Sequence, residues 1–318
     1  MSTVSETTHG SAVAMSAAPS PDEGLSAAEL ARKYGLSVSG ARPSLPEYAR
    51  QLWDRRHFIL AFSRAKMTAQ YSKAKLGQLW HVATPLLNAM VYLLIFGVLM
   101  GQGGKLGGMG TYIPFLVTGV FVFTFTQSSA LSGVRAISGN LGLVRALHFP
   151  RAALPISFAL QQLQQLLFSM CVVFAFLIGF GHMPALSWLL IVPVLVLQFV
   201  FNTGLSLILA RMGSKTPDLA QLLPFILRTW MYASGVMYNM VAALKNAKAP
   251  GWVIDVLSAN PAAVYIDLMR SSLITSHAAE KHINLPQHVW LLAVGWAVVV
   301  GLGGFVYFWK AEEQYGRG

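Results

Sequence analysis

Acidic side chains are scarce in this chain. Twelve Asp and Glu stand against 23 Lys and Arg in 318 residues, and from Asp54 to Asp218 neither acid occurs once. Charged residues make up 11% of the sequence, where soluble domains carry about 25%, which excludes an ordinary soluble enzyme. Cysteine is nearly absent. Cys171 alone allows neither an internal disulfide nor a thiolate metal cage, and its place inside an apolar run predicts a packing role. A phosphate-binding loop is missing too: the glycine-rich stretch Gly101 to Gly110 contains Lys105 but fits neither the Lys-Ser/Thr phosphate loop nor the dinucleotide pattern, and reads as a flexible outer turn. His277, His282 and His288 are spaced by five and six, which does not align ligands on a helix, so they read as loop histidines and no metal site is expected.

Apolar residues are what the chain has in abundance, 55% by composition, with a mean hydropathy of +0.55. They come in blocks. A bilayer-spanning helix needs about 20 apolar residues at a rise of about 1.5 Å, and six segments qualify: Leu79 to Met100, Tyr112 to Val134, Leu154 to Phe180, Trp188 to Ala210, Leu219 to Tyr238 and Val289 to Trp309. The fold class is therefore all-α, a polytopic membrane protein with six transmembrane helices. The net charge of +11 does not imply a nucleic-acid partner, because most of it flanks the spans as orientation signals do. With a cytoplasmic N-terminus, seventeen Lys and Arg fall on the inner side and five on the outer, with Arg228 left inside a span. Both termini are thus expected in the cytoplasm.

Residues 1–43 are rich in Ser, Ala, Pro, Thr and Gly, a composition that buries too little surface to offset ordering entropy. They are expected to form a disordered cytoplasmic tail without a cleavable signal. Residues 44–78 read as an amphipathic lead-in to the first span. Leu45, Tyr48, Leu52, Ile59 and Phe62 recur at helical intervals while Arg50, Arg55, Arg56, Arg64 and Lys66 take other faces, the pattern of a helix in the headgroup layer; a solvated basic helix is the alternative, which Trp53 and Phe58 disfavour. Residues 79–318 form the transmembrane domain. Between its last two spans, Trp252 to Leu257 and Ala262 to Ile274 are apolar but too short to cross. They are expected either to dip into the outer leaflet as re-entrant helices or to lie on the surface as a cap.

The acid-free stretch covers four spans. Ion-coupled carriers and intramembrane hydrolases place carboxylates at membrane depth, so the chain reads as a conduit driven by something else. Three stretches carry a resemblance. Phe62 to Pro85 runs through Tyr71, Leu76, Gly77, Trp80 and Pro85; Asn140 to Ser157 contains Phe149-Pro150-Arg151 and Leu154-Pro155; and Ser234-Gly235-Val236 is followed by Asn260-Pro261 and Arg270. In this order they resemble ABC-2 type permeases of the polysaccharide, teichoic-acid and O-antigen exporter family. The first stretch departs from the family's usual acid and Arg-Tyr-Arg-like run, having Ala65-Lys66 and Gln70-Tyr71-Ser72, which leaves the substrate subgroup open.

The resemblance implies a permease and no enzyme, with ATP and Mg on a separate ABC ATPase present in two copies, a second copy of this chain, and a polymer on a lipid carrier as substrate. It also makes Arg145, His148, Phe149, Pro150 and Arg151 the loop that couples to the ATPase. Phe149 would be its apolar anchor, while Arg145 and Arg151 would pair with ATPase acids or lipid phosphate; a plain positive-inside loop is the alternative. Conduit candidates are Gln161, Gln164 and Gln165, beside Gln162, whose amides can bond sugar hydroxyls or glue helices, and Trp230 and Tyr232, which can offer rings to a sugar or simply pack, as can Phe121, Phe123, Phe125 and Tyr238. Arg228, costly at mid-span, would face a lipid-linked phosphate or close the channel. Two rivals remain: an ABC-2 permease for drugs or lipids, and a membrane-bound transferase acting on lipid-linked sugars, which would need a reactive acid or histidine near the interface.

Overall fold

A computed structural model of the protein describes residues 26, 29–30, 33–34, 43–72, 74–147, 149–274, 286, 288–312 and 315. The chain divides into units 1–41 and 42–318. In the first, most of the expected tail lies outside the described residues; Ser26 and Glu29 form a capping box there, the Ser26 backbone N–H donating to Glu29 Oε2 at 2.8 Å.

The second unit is helical throughout its described regular structure: α1 (Leu45–Asp54), α2 (Arg56–Gln70), α3 (Trp80–Tyr92, continued by a π-helical stretch Leu93–Leu99), the short α4 (Gln102–Lys105), α5 (Met109–Val134), α6 (Leu141–Ala146), α7 (Ala153–Gly179), α8 (Ile191–Lys215), α9 (Leu219–Ala233), α10 (Met240–Asn246), α11 (Gly251–Ser258), α12 (Pro261–Leu273) and α13 (Val289–Trp309). The amphipathic lead-in is two helices broken at Arg55. Pro46 opens α1 where its missing N–H is harmless, and Tyr48, Leu52 and Ile59 are buried in one cluster with Ala152, Ala153 and Leu154 at the start of α7 and Phe308 at the end of α13.

Among the described residues, five helical stretches are long and apolar enough to cross a membrane: Trp80–Leu99, Met109–Val134, Ala153–Gly179, Leu186–Lys215 and Val289–Trp309. Central among them is α5, with Leu116, Phe121, Val122, Phe123 and Phe125 all buried. Phe121, Phe123 and Phe125 are therefore core side chains of the single chain. The expected span Leu219 to Tyr238 is shorter than the sequence suggested. Its helix stops at Ala233, because Gly235 adopts φ +64 in a turn that L side chains rarely enter. Fifteen residues make about 22 Å of helix, less than the about 30 Å of a hydrocarbon core.

Between α9 and α13 the two short apolar segments fold as α11 and α12, close to the expected bounds. The latter is enclosed: Ala262 to Ile266, Leu268, Met269 and Leu273 are buried, Tyr265 Oη donates to Ala293 O at 2.9 Å and Trp188 Nε1 to Leu273 O at 3.2 Å. Asn260 caps α12 by accepting from Ala262 N. At the tip of this hairpin Trp296 Nε1 donates to Ala259 O at 2.8 Å, seven residues into α13. Cys171, expected to pack, is exposed on the single chain instead. Its helix α7 turns that face outward, away from α5.

Candidate functional site

Two regions bring the sequence candidates together. The first is the connection from α5 to α7. Arg145 sits in the last turn of α6, exposed at the surface, and His148 lies outside the described residues. Phe149, expected to project as an apolar anchor, is half-buried with its ring 5.3 Å from that of Phe58 on α2. The exposed apolar side chains of this segment are Leu141 and Leu147, which the sequence reading passed over because neither belongs to the Phe-Pro-Arg signature.

Arg151, expected to reach outward, turns inward. Its guanidinium donates to the backbone carbonyl of Glu312, and its own N–H donates to Glu312 Oε1 at 2.9 Å. Tyr48 Oη donates to Glu312 Oε2 at 2.7 Å and accepts from Ala152 N at 3.1 Å. A phenol from α1 and a carboxyl from beyond α13 thus hold the backbone N–H groups of Arg151 and Ala152, just ahead of α7, where negative charge suits the helix dipole. Burial pushes the Glu312 carboxyl up, opposed by the bonds from Tyr48 and Arg151; burial, then the Glu312 charge, drives the Tyr48 phenol well above its ordinary range. Glu312→Ala strips partners from buried donors, a cost of about 1–3 kcal/mol. Thermal unfolding of the purified chain should register that loss, and Tyr48→Phe, which keeps the ring, should register less.

The second region is a polar cleft of about 620 Å³ between α2, α3, α5 and α7. The glutamines of α7 divide over two faces at its edge. Gln161 Nε2 donates to Gln70 Oε1 at 3.1 Å and Gln164 Nε2 to Ser63 Oγ at 3.2 Å, so these two fasten α7 to α2 and do not line the cleft. Gln162 and Gln165 do line it, with Thr84 and Asn88 of α3, and Thr124, Gln127, Ser128 and Ser132 of α5. Lys66 and Arg135 supply its charge, and among the described residues no acid lines it. Helical spacing put all four glutamines near one another. Which pair α2 would cover depended on a helix whose docking face the α7 pattern does not encode.

The remaining conduit candidates lie elsewhere. Trp230 is half-buried, its ring edge-on to Phe123 at 6.0 Å and its Nε1 donating to Asn260 Oδ1 at 2.7 Å, so it serves the α9–α12 contact. Arg228 and Tyr232 are exposed on the outer face of α9, where only Leu223, Leu227 and Met231 are buried, and both lie in the electrostatic neighbourhood of Tyr92 on α3. Among the described residues, no group of three or more His, Cys, Asp or Glu is arranged to hold a metal ion.

Residues 58–274 match the model of the family described as ABC-2 type transporter. An O-antigen export system permease protein RfbA of Klebsiella pneumoniae is 28% identical over 181 residues, 57% of this chain and 68% of the relative. RfbA of Myxococcus xanthus is 26% identical over 191 residues, 60% of this chain and 72% of the relative. The polysialic acid transport protein KpsM of Escherichia coli is 22% identical over 218 residues, 68% of this chain and 80% of the relative.

Proposed function

We propose, since this chain belongs to the ABC-2 type transporter family and is a multi-pass membrane protein, that it is the permease subunit of an exporter moving a cell-envelope polysaccharide on a polyprenyl carrier across the cytoplasmic membrane. The observation that carries this reading is the span of the match, which takes in both the α5–α7 connection and the polar cleft. ATP and Mg would be bound by two copies of a separate ABC ATPase. Its closure would push on the α6 segment, and the Tyr48–Glu312 bonds would pass that movement to α1, α7 and the end of α13 as to one rigid body.

Six crossings with cytoplasmic ends fit the geometry. Trp309 Nε1 donates to Pro43 O at 2.9 Å, so the two ends of the bundle lie side by side, which supports an even number of crossings. Five long helices are odd in number. The sixth would be α9, running from the end of α8 to Gly235, whose carbonyl meets Arg270 beside Phe115 in the second turn of α5. The Lys and Arg excess supports a cytoplasmic location for the shared end. On this reading the α11–α12 hairpin is re-entrant from the outer side, reaching about 10 Å deep at Trp296 by helical rise. A second copy would cover the exposed Leu222, Phe225 and Ile226 of α9.

Deleting the chain from its cell should remove the surface polysaccharide while polymer accumulates inside, as measured by surface labelling and by fractionation. Complementation with Leu147→Asp should leave export at roughly a tenth of the level of the unaltered protein, because a charge on the docking segment costs about 1–3 kcal/mol of a buried contact, with membrane abundance unchanged. Normal surface polysaccharide after deletion would refute the reading.

A further inference from the structure

The polar cleft is open at the cation-rich end of the bundle and built to a pattern that neither packing nor coupling uses. Lys66 is held there, not merely present. Its ammonium lies over the rings of Phe62 and Phe158, 5.2 and 5.6 Å from their centroids, and donates to Asn140 Oδ1 at 3.3 Å. Asn140 is oriented in turn, because its Nδ2 donates to Ala136 O at 2.9 Å. On the opposite wall Arg135 follows the last residue of α5. Between the two cations and the interior lie amides and hydroxyls, with the Gln165 amide beside the His81 imidazole at the inner edge. Uncharged amides and hydroxyls suit hydroxyl partners; two cations with no acid beside them among the described lining residues suit an anion.

We infer that this cleft is the docking site for the phosphate-bearing end of the carrier-linked glycan, with Lys66 and Arg135 on the phosphate oxygens and Gln162, Gln165, Asn88 and Thr84 on the hydroxyls of the first sugar. The inference rests on the exporter reading above and names the part of the substrate that this chain recognises. Its volume falls within the ~300–1,000 Å³ of small-ligand sites, enough for a phosphate and the sugar beside it but not for a polymer. Lys66 stands in the last turns of the interfacial helix α2 and Arg135 at the end of α5, so the anion would sit at headgroup depth with its lipid tail free to leave between helices. The cleft grips the junction of lipid and sugar; the rest of the chain passes elsewhere.

Phosphate could also come from an ordinary anionic phospholipid or from free diphosphate, and the test separates them. The full-length chain in nanodiscs of phosphatidylcholine is titrated with a long-chain polyprenyl diphosphate, the matching polyprenol, inorganic diphosphate and phosphatidylglycerol, binding being read by native mass spectrometry. Polyprenyl diphosphate is expected to bind at least about tenfold more tightly than the other three. Lys66→Gln and Arg135→Gln should each weaken it about tenfold, one charge-assisted contact apiece, whereas Lys215→Gln, a cation at the end of α8 outside the cleft, should not. Equal binding of phosphatidylglycerol or of inorganic diphosphate, or full binding by the Lys66→Gln/Arg135→Gln double variant with native helicity by circular dichroism, would overturn the inference. The two failures are distinguishable. If deletion abolishes export and the cleft variants still bind the carrier, this site is wrong and the exporter reading stands; if binding depends on both cations but deletion leaves the surface glycan intact, the site stands and the exporter reading falls.

Discussion

Arg270→Met is expected to lower the unfolding temperature of the purified chain by roughly 10 °C, the shift that corresponds to about 3–5 kcal/mol for breaking a buried ion pair in a protein of this size. Arg270 is 1% exposed, one of the largest fully enclosed side chains in the bundle. Its Nε donates to Phe115 O at 3.1 Å, Nη1 to Gly235 O and Asp267 Oδ1 at 3.1 Å each, and Nη2 to Val236 O at 2.7 Å. The guanidinium also lies 3.4 Å from the centroid of the Phe115 ring. Methionine fills much of the volume but leaves the Gly235 and Val236 carbonyls and the Asp267 carboxylate without the guanidinium donor, and Phe115 O with only its helical partner. Arg270→Lys should recover only part of the loss, since an ammonium cannot reach acceptors spread around a planar fork. The opposite wall tests the same contact: a Cβ on Gly119 would lie 2.4 Å from Nη2, so Gly119→Ala should destabilise in the same assay while leaving every hydrogen-bonding group in place.

The second large effect belongs to the crossing of α8 and α13. Gly204→Val should leave little folded protein in the membrane, seen as loss of the monodisperse peak when a fluorescently tagged chain is extracted in mild detergent. A Cβ at Gly204 would lie 2.1 Å from Val300 O, and one at Gly304 2.3 Å from Gly204 O. The obstacle is backbone, which no rotamer change can move aside, so the helices must part. Overpacking by a methylene or two costs about 1–3 kcal/mol where side chains can adjust; here they cannot, and the cost is expected at or above the top of that range. Helices in lipid gain by close packing of small residues, so separating them also forfeits the contacts along the seam. Gly303, one residue away on the exposed face with nothing within 4 Å of its Cβ position, provides the control: Gly303→Val should extract normally.

How much of this was legible beforehand depended on the range of the interaction. Hydropathy placed the five long helices within a few residues because a span is a local property, and the spacing of Tyr48, Leu52 and Ile59 gave the face of the lead-in that packs. Family resemblance located the α5–α7 connection. It did not reveal that Phe149 packs against Phe58 or that Arg151 turns toward Glu312, because both partners lie far along the chain; Tyr48 and Glu312 are 264 residues apart. Arg270 was counted among the outer-loop charges, since a lone Arg between apolar segments looks the same in sequence whether it faces water or three carbonyls. The α9 segment was overextended for a related reason: Ser234 to Tyr238 is apolar enough to continue a helix, and only the backbone at Gly235 ends it.

The account rests on this chain being a conduit driven by another subunit. The most direct test is to purify the tagged chain in mild detergent from the cell that makes it and to identify stoichiometric partners by mass spectrometry. An ABC ATPase subunit at one copy per copy of this chain is the expected result, released by Leu147→Asp. Absence of any nucleotide-binding partner, even after crosslinking from a reactive side chain placed at Leu147, would leave the chain without an energy source and contradict the account.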